Sequence, residues 1–160
     1  MNVIVDTGFW YSFLGTREQV RHSVAEVVFG KLNNLDANFL VPFPTLYEAI
    51  NTKLLKDKYR DKADWFLKQL QSNPHFIRIP DDEYKAKAYD LTIEKNYRGF
   101  SLVDNVIRVM MQDPNLKIHA LLTFNIDDFI DIAAKRGIEI PNELYGNCLL
   151  YTSDAADDKA

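Results

Sequence analysis

Four carboxylate side chains stand where predicted strands end or predicted helices begin. Asp6 directly follows the apolar run Val3-Ile4-Val5, and the other three fall in first turns of predicted helices: Glu48, Asp104 and Asp128. Carboxylate oxygens are hard ligands of the kind that Mg²⁺ or Mn²⁺ takes in proteins. Two such ions can activate an attacking water and stabilise the leaving oxygen when a phosphodiester is hydrolysed. Brought together, these acids would therefore suit metal-assisted hydrolysis.

The same positions also have an ordinary interpretation as helix caps. Asp6 could cap the helix that follows it, and Thr45 and Ser101 each precede an acid with the capping-box spacing. Asn125 stands in the same relation to Asp128. A carboxylate in a first turn is stabilised by about 0.3–1 kcal/mol. Because clustered carboxylates repel one another, convergence of all four would favour a bound cation over capping alone.

Strand and helix patterns alternate along the chain. Apolar runs predict strands at 3–5, 38–42, 75–80 and 117–123, with a short fifth at 138–141. Helical patterns cover 7–14, 17–32, 45–56, 61–71, 82–96, 101–112 and 126–135. In the second of these helices, one face is predicted to carry Val20, Val24, Val27 and Val28.

This order predicts an α/β fold, with a parallel sheet of four to five strands and helices on both faces. Sites in such open sheets form beyond the carboxyl ends of the strands. Asp6, Glu48 and Asp128 follow strand ends or their loops, whereas Asp104 precedes a strand. Asp104 therefore depends on the fold to join the other three acids.

Composition sets broad limits on the kind of protein. The chain has 160 residues, 47% of them hydrophobic, which suits one globular domain. The net charge of −4 argues mildly against a nucleic-acid partner, although a metal nuclease needs an acidic site. The single cysteine, Cys148, excludes an intrachain disulfide and fits a reducing cytoplasm. No signal-peptide core and no apolar run of about 18 residues is present, so we expect a cytoplasmic protein without a membrane span.

The last residues differ in character from the rest of the chain. Residues 148–160 resemble the translation of a sequencing adapter, a contaminant of gene predictions. We therefore predict one domain over 1–147 and a non-native tail over 148–160. A short natural acidic tail is the alternative.

Four segments, in order, resemble the PIN-domain family, in particular the ribonucleases of the virulence-associated toxin C (VapC) type. They are 3–8 (Val-Ile-Val-Asp-Thr-Gly), 44–48 (Pro-Thr-Leu-Tyr-Glu), 101–107 (Ser-Leu-Val-Asp-Asn-Val-Ile) and 122–129 (Leu-Thr-Phe-Asn-Ile-Asp-Asp-Phe). The similarity runs from Asn2 to about Pro141. In one departure, many family members have Asp where this chain has Asn125, so the fourth acid is taken as Asp128, with Asp127 as a substitute.

The resemblance implies a PIN-like, Rossmann-like fold and a Mg²⁺- or Mn²⁺-dependent endoribonuclease that hydrolyses single-stranded RNA. Asp6 would be the central metal ligand, Glu48 and Asp104 would complete the ligand set, and Asp128 would bind a second ion or orient water. Four side chains would hold these carboxylates or phosphate oxygens: Thr7, Ser101, Thr123 and Asn125. The resemblance also implies the toxin of a type II toxin-antitoxin pair, with a small antitoxin as partner, and a homodimer.

Basic residues are candidates for contacts with RNA phosphates, although a run of charges is usually a solvated face. The candidates are Lys53 and Lys56, with Arg17, Arg21, Arg98 and Arg108 as weaker ones.

Other functions stay open at this point. A phosphatase of the haloacid dehalogenase type needs a second Asp two residues after Asp6, where Gly8 stands. A receiver-type domain needs adjacent acids after its first strand and an acceptor Asp after its third, for which Asp81 is a poor substitute. A PIN-fold protein that binds or processes RNA outside a toxin-antitoxin system is the main alternative.

Overall fold

The fold is built on four parallel strands. The computed structural model describes residues 1–54, 59–94 and 99–145, and the predicted tail lies outside them. The strands are β1 (Asn2–Val5), β2 (Asn38–Pro42), β3 (Phe76–Ile79) and β4 (Ile118–Leu122). They pair in the order β3-β2-β1-β4, so that Val3 lies between Phe39 and Ala120. Three of the four β1 residues are wholly buried, as expected for a central strand covered on both faces.

Within the described residues, seven α-helices connect and cover these strands. They are α1 (Thr7–Leu14), α2 (Gln19–Asn34), α3 (Phe43–Leu46), α4 (Arg60–Ser72), α5 (Lys85–Glu94), α6 (Leu102–Met111) and α7 (Ile130–Arg136). A π-helix over Tyr47–Leu54 continues α3, and short 3₁₀-helices cover Pro114–Leu116 and Ile126–Asp128. In the described part of the chain, no helix has the length and apolar character needed to cross a membrane.

The strand order determines where the helices lie. The chain moves from β1 to β2 to β3 in one direction and then crosses back to β4 on the far side of β1. Right-handed crossovers therefore place α1 to α4 on one face and α5 and α6 on the other. Consistent with this, α1 contacts α2 and the π-helix, while α5 and α7 contact α6. The predicted α/β fold with a parallel sheet is confirmed.

An aromatic cluster fixes α1 against the sheet. The Trp10 ring centroid lies 4.8 Å from that of Phe66, 5.5 Å from Phe76 and 6.0 Å from Phe39. Trp10 and Phe9 are completely buried. Burial of such large rings is a major source of stability, so the start of α1, immediately after Asp6, is held firmly.

The buried face of α2 differs from the predicted one. Val20 and Val27 are 50% and 51% exposed, and the buried residues are Ala25, Val28 and Leu32. The predicted four-valine face is therefore only half in the core: Val28 is buried and Val24 packs against the core, whereas Val20 and Val27 are exposed. The spacing of three and four residues from Ala25 to Leu32 is the stripe that meets the core, and the valines lie partly outside it.

The predicted fifth strand is reduced to a single bridge. Leu121 N donates to Glu139 O at 2.8 Å, and Glu139 N donates to His119 O at 3.0 Å. Pro141 has no N–H with which to extend the pairing. The sheet therefore has four strands and one bridge at its β4 edge.

A row of polar side chains crosses the amino ends of all four strands, and we call it the polar ladder: His75, Asn38, Asn2 and His119. His75 Nδ1 donates to Asn38 Oδ1 at 3.0 Å, and Asn38 Nδ2 donates to Asn2 Oδ1 at 3.1 Å. The backbone N–H of Asn2 donates to His119 Nδ1 at 3.0 Å. These bonds set the strands in register at the end of the sheet opposite Asp6.

Candidate functional site

The crevice between β1 and β4 holds Asp6. These neighbouring strands are where the chain reverses its direction across the sheet, the position at which open α/β sheets bind ligands. Asp6 N donates to Leu122 O at 3.0 Å, which continues the pairing of the two strands. The Asp6 side chain is only 5% exposed. Its place follows directly from a strand that ends at Val5.

Two donors orient the Asp6 carboxylate. Thr7 N donates to Oδ1 at 2.8 Å, so Asp6 does cap α1, as the ordinary interpretation predicted. Thr123 Oγ1 donates to Oδ2 at 3.0 Å from the carboxyl end of β4, and this hydroxyl accepts from Asn125 N at 3.0 Å. Thr123 is completely buried. The predicted role of Thr123 in holding a carboxylate is thus matched by a direct hydrogen bond.

Burial raises the pKa of Asp6 from the usual 3.8 to about 7, and the negative charges of Asp104 and Glu48 add to this effect. The hydrogen bonds from Thr123 and Thr7 oppose the rise in pKa but do not cancel it. Asp104 and Glu48 are therefore near enough to Asp6 to affect its ionisation. A cation beside Asp6 would offset the repulsion.

A cleft of about 380 Å³ opens over these acids. Its lining includes six of the predicted site residues: Asp6, Thr7, Glu48, Ser101, Asp104 and Asn125. Other residues that line it are Gly8, Tyr11, Ser12, Glu18 and Arg21. Of these, Ser12 and Glu18 were not predicted from the sequence. Their only signal was a place on α1, or just before α2, close to Asp6 in the chain.

Asp104 caps α6 and lines the cleft at the same time. Asp104 N donates to Ser101 Oγ at 3.1 Å, and Ser101 N donates to Asp104 Oδ2 at 3.2 Å, which completes the predicted capping box. A carboxylate has about four lone-pair sites on two oxygens, so capping leaves capacity for another ligand. Capping and metal binding are therefore compatible at Asp104.

The capping box predicted at Thr45 is absent. Thr45 is buried inside α3, and its hydroxyl donates to Pro42 O at 2.6 Å. The helix begins at Phe43, three residues earlier than a Thr45 cap would require, because Pro44 is well suited to a first helical turn. Glu48 consequently lies in the π-helix and lines the cleft.

Asp128 lies beside this cluster rather than in the cleft lining. Burial raises its pKa, and the charges of Asp104 and Asp127 act in the same direction. Asp128 is half-buried in the 3₁₀-helix, whereas Asp127 is exposed. Asn125 precedes this helix without a side-chain cap bond, so its predicted capping role was wrong. The choice of Asp128 as fourth acid stays a prediction.

Arg108 holds the Asp128 segment against α7. Its guanidinium donates to both carboxylate oxygens of Asp131, each at 2.7 Å, and to Asp128 O at 2.7 Å. It also stacks on the Phe100 ring, with the guanidinium carbon 4.7 Å from the centroid. The hydrogen bond from Arg108 lowers the pKa of Asp131 to about 2. These contacts give Arg108 a structural role, and its predicted contact with RNA stays a prediction.

Three other basic candidates lie wholly or partly outside the described residues. Lys56 and Arg98 lie outside the described residues. The backbone of Lys53 belongs to the π-helix, and its side chain lies outside the description. Their predicted contacts with RNA likewise stay predictions.

The donor set of the cleft fits a hard divalent cation. Asp6, Glu48 and Asp104 offer carboxylate oxygens, the type of ligand that Mg²⁺ and Mn²⁺ prefer. The Thr7 hydroxyl is buried and has no hydrogen-bond partner within the described residues. Leaving a buried hydroxyl unpaired is costly, and water on a bound ion would satisfy it. Within residues 1–54, 59–94 and 99–145, no three His, Cys, Asp or Glu side chains already form a metal-binding group.

Comparison with protein-family models found no match, and comparison with curated proteins found none either. The similarity to PIN-domain ribonucleases therefore rests on the four segments of this sequence.

Proposed function

We propose that the chain is a Mg²⁺- or Mn²⁺-dependent endoribonuclease that hydrolyses single-stranded RNA. The observation that carries the proposal is the buried Asp6 carboxylate at the β1/β4 crevice, whose pKa is raised by burial and by Asp104 and Glu48. Placing three acids around one buried position is unfavourable without a cation. The cleft above them is open to a substrate.

The residues of the chain would supply position and charge to the hydrolysis. Asp6, Glu48 and Asp104 would hold the ion, with Asp6 kept in place by Thr123 and Thr7. When bound, the ion lowers the pKa of its water and neutralises charge on the phosphate. In the hydrolysis itself, a water oxygen bonds to phosphorus and the bond from phosphorus to a ribose oxygen breaks.

The biological setting is part of the same proposal. The four PIN-like segments favour the toxin of a type II toxin-antitoxin pair, acting in the cytoplasm as a homodimer and inhibited by a small antitoxin. A PIN-fold protein that binds or processes RNA outside such a pair is the competing interpretation. RNA binding without metal-dependent cleavage would favour the RNA-binding form of that alternative.

The test is cleavage of an end-labelled single-stranded RNA by the purified chain, with Mn²⁺ and with excess EDTA. We expect cleavage only with the metal, and a loss of at least about a hundredfold in Asp6→Asn and Asp104→Asn. Asp61→Asn is the matched control, because Asp61 is an exposed first-turn acid of α4 outside the cleft.

Asp61→Asn is expected to cleave at the wild-type rate. Mn²⁺ should also raise the melting temperature of the wild type, since an ion that binds only the folded state stabilises it. Full activity in EDTA, or an active Asp6→Asn protein, would refute the proposal.

A further inference from the structure

Arg21 is placed at the same cleft by α2. Among the described residues that line the cleft, it is the only basic one. Its side chain is 15% exposed, and its Nε lies 3.8 Å from Glu18 Oε2. Its guanidinium carbon lies 4.9 Å from the centroid of the Phe124 ring.

This position is coupled to that of Asp6. Phe124 follows Thr123, the residue that donates to the Asp6 carboxylate, and its ring is stacked on Phe9 of α1 with 6.0 Å between the centroids. The Arg21 guanidinium therefore rests on a residue at the end of β4, next to the threonine that orients Asp6. Stacking on an aromatic face and pairing with a carboxylate both restrict an arginine side chain, so it loses little further freedom when it binds a ligand.

Such a cation, beside a bound metal ion, favours the entry of an anionic substrate into the cleft. Asp6, Glu18, Glu48 and Asp104 all line it, and a phosphodiester entering it carries a negative charge. A guanidinium can donate two parallel hydrogen bonds to phosphate oxygens, which a lysine ammonium does with less geometric control.

We infer that Arg21 binds a backbone phosphate of the RNA in the cleft and so positions the strand beside Asp6. This inference rests on the proposed function and identifies the group that would recognise the substrate. The side chain contacts the substrate through the phosphate, so it recognises the backbone rather than the base sequence.

The experiment measures binding separately from cleavage. The probe is a fluorescein-labelled single-stranded RNA, and EDTA throughout the assay prevents metal-dependent hydrolysis of it. Fluorescence anisotropy is recorded at several salt concentrations for the wild type, Arg21→Gln and Arg21→Lys. Arg136→Gln is the control, since it makes the same charge change at an exposed position of α7.

We expect Arg21→Gln to weaken binding at least about tenfold and to reduce the salt slope by about 0.7, the value for one phosphate contact on a single strand. Arg21→Lys keeps the positive charge but loses the planar group that donates two parallel hydrogen bonds. We therefore expect the same salt slope as the wild type and an affinity about threefold to tenfold weaker. Arg136→Gln should stay within about twofold of the wild type.

Unchanged affinity in Arg21→Gln, or a weakened affinity with an unchanged salt slope, would overturn the inference. If Arg21→Gln does not fold, Arg21→Lys decides, and wild-type affinity in that variant would overturn it. The two proposals fail separately. If the wild type cleaves RNA with metal but its binding does not depend on Arg21, the nuclease proposal stands and the role of Arg21 is refuted. If binding depends on Arg21 but no cleavage occurs, the role of Arg21 stands and the nuclease proposal is refuted.

Discussion

Replacing Asp6 by Asn is predicted to make the metal-free protein more stable at high pH and less stable at low pH. Burial and the charges of Asp104 and Glu48 raise the pKa of Asp6 from 3.8 to about 7. Between these two pH values the folded protein keeps a proton that the unfolded chain has released. The free energy of unfolding therefore falls as the pH rises from about 4 to about 7, with no further change from this group above that range.

The magnitude follows from the pKa difference. A rise from 3.8 to about 7 is roughly three pKa units, each about 1.36 kcal/mol, so ionised Asp6 costs about 4 kcal/mol at pH 8. Asn removes this cost and can still accept from Thr7 N, but its amide group no longer accepts from the Thr123 hydroxyl, at a cost of about 1 kcal/mol. We expect Asp6→Asn to be about 3 kcal/mol more stable than the wild type at pH 8 and about 1 kcal/mol less stable near pH 4.

The assay is urea denaturation of both proteins after dialysis against EDTA, at several pH values from 4 to 8. Asp61→Asn is again the control, because an exposed acid should give a small and nearly constant difference. If Asp6→Asn is less stable than the wild type by the same amount at every pH, Asp6 is ionised and well compensated in the folded protein. The argument from burial and repulsion would then be wrong. Saturating Mn²⁺ should reverse the order at pH 8, since only the wild type keeps its full set of carboxylates.

Two further predictions concern the fourth acid and a helix end. Asp128→Asn should reduce the Mn²⁺-dependent cleavage rate by at least about tenfold while Asp127→Asn changes it less than about threefold; the reverse result would transfer the role to Asp127. Gly137 ends α7 with a φ of +66°, and nothing lies within 4 Å of a Cβ added there. Gly137→Ala should therefore lower the free energy of unfolding by about 1 kcal/mol through backbone strain alone. Gly30→Ala, inside α2 and equally unobstructed, should instead stabilise by up to about 1 kcal/mol, and equal effects of the two substitutions in thermal melts would contradict this reasoning.

Local patterns in the sequence were sufficient to predict the four paired strands, though not the single bridge at 138–141, and to predict the acid at the end of β1. Val3-Ile4-Val5 followed by Asp6 predicts a buried strand that ends at a carboxylate, and the structure has both. The place of Asp104 was not determined by its own segment, because it precedes β4. It comes to the cleft only through the crossover from β3 back past β1.

The place of Arg21 at the cleft could not be predicted from the face of α2 that its valines define. Arg21, Ala25, Val28 and Leu32 follow the spacing of four, three and four residues that defines one helical face. Three of them are buried in the core, and Arg21 continues their stripe to the cleft. A β-branched residue does not by itself indicate burial. The signal in the sequence for a residue at the cleft was a charged side chain at the end of the helical stripe that Ala25, Val28 and Leu32 form.

The pairing of β1 with β4 has a consequence for the order in which the molecule assembles. At one end of this pair the polar ladder joins Asn2 to His119, and at the other Thr123 joins Asp6, each across 117 positions of the chain. Closing so long a loop costs entropy before its contacts repay it, so pairings of this kind form late in folding. On a ribosome, β1 emerges before β4 and lacks that neighbour until β4 follows. A nascent chain therefore carries Asp6 without the hydroxyl that orients it until Thr123 has emerged, and the cleft is completed only after that point.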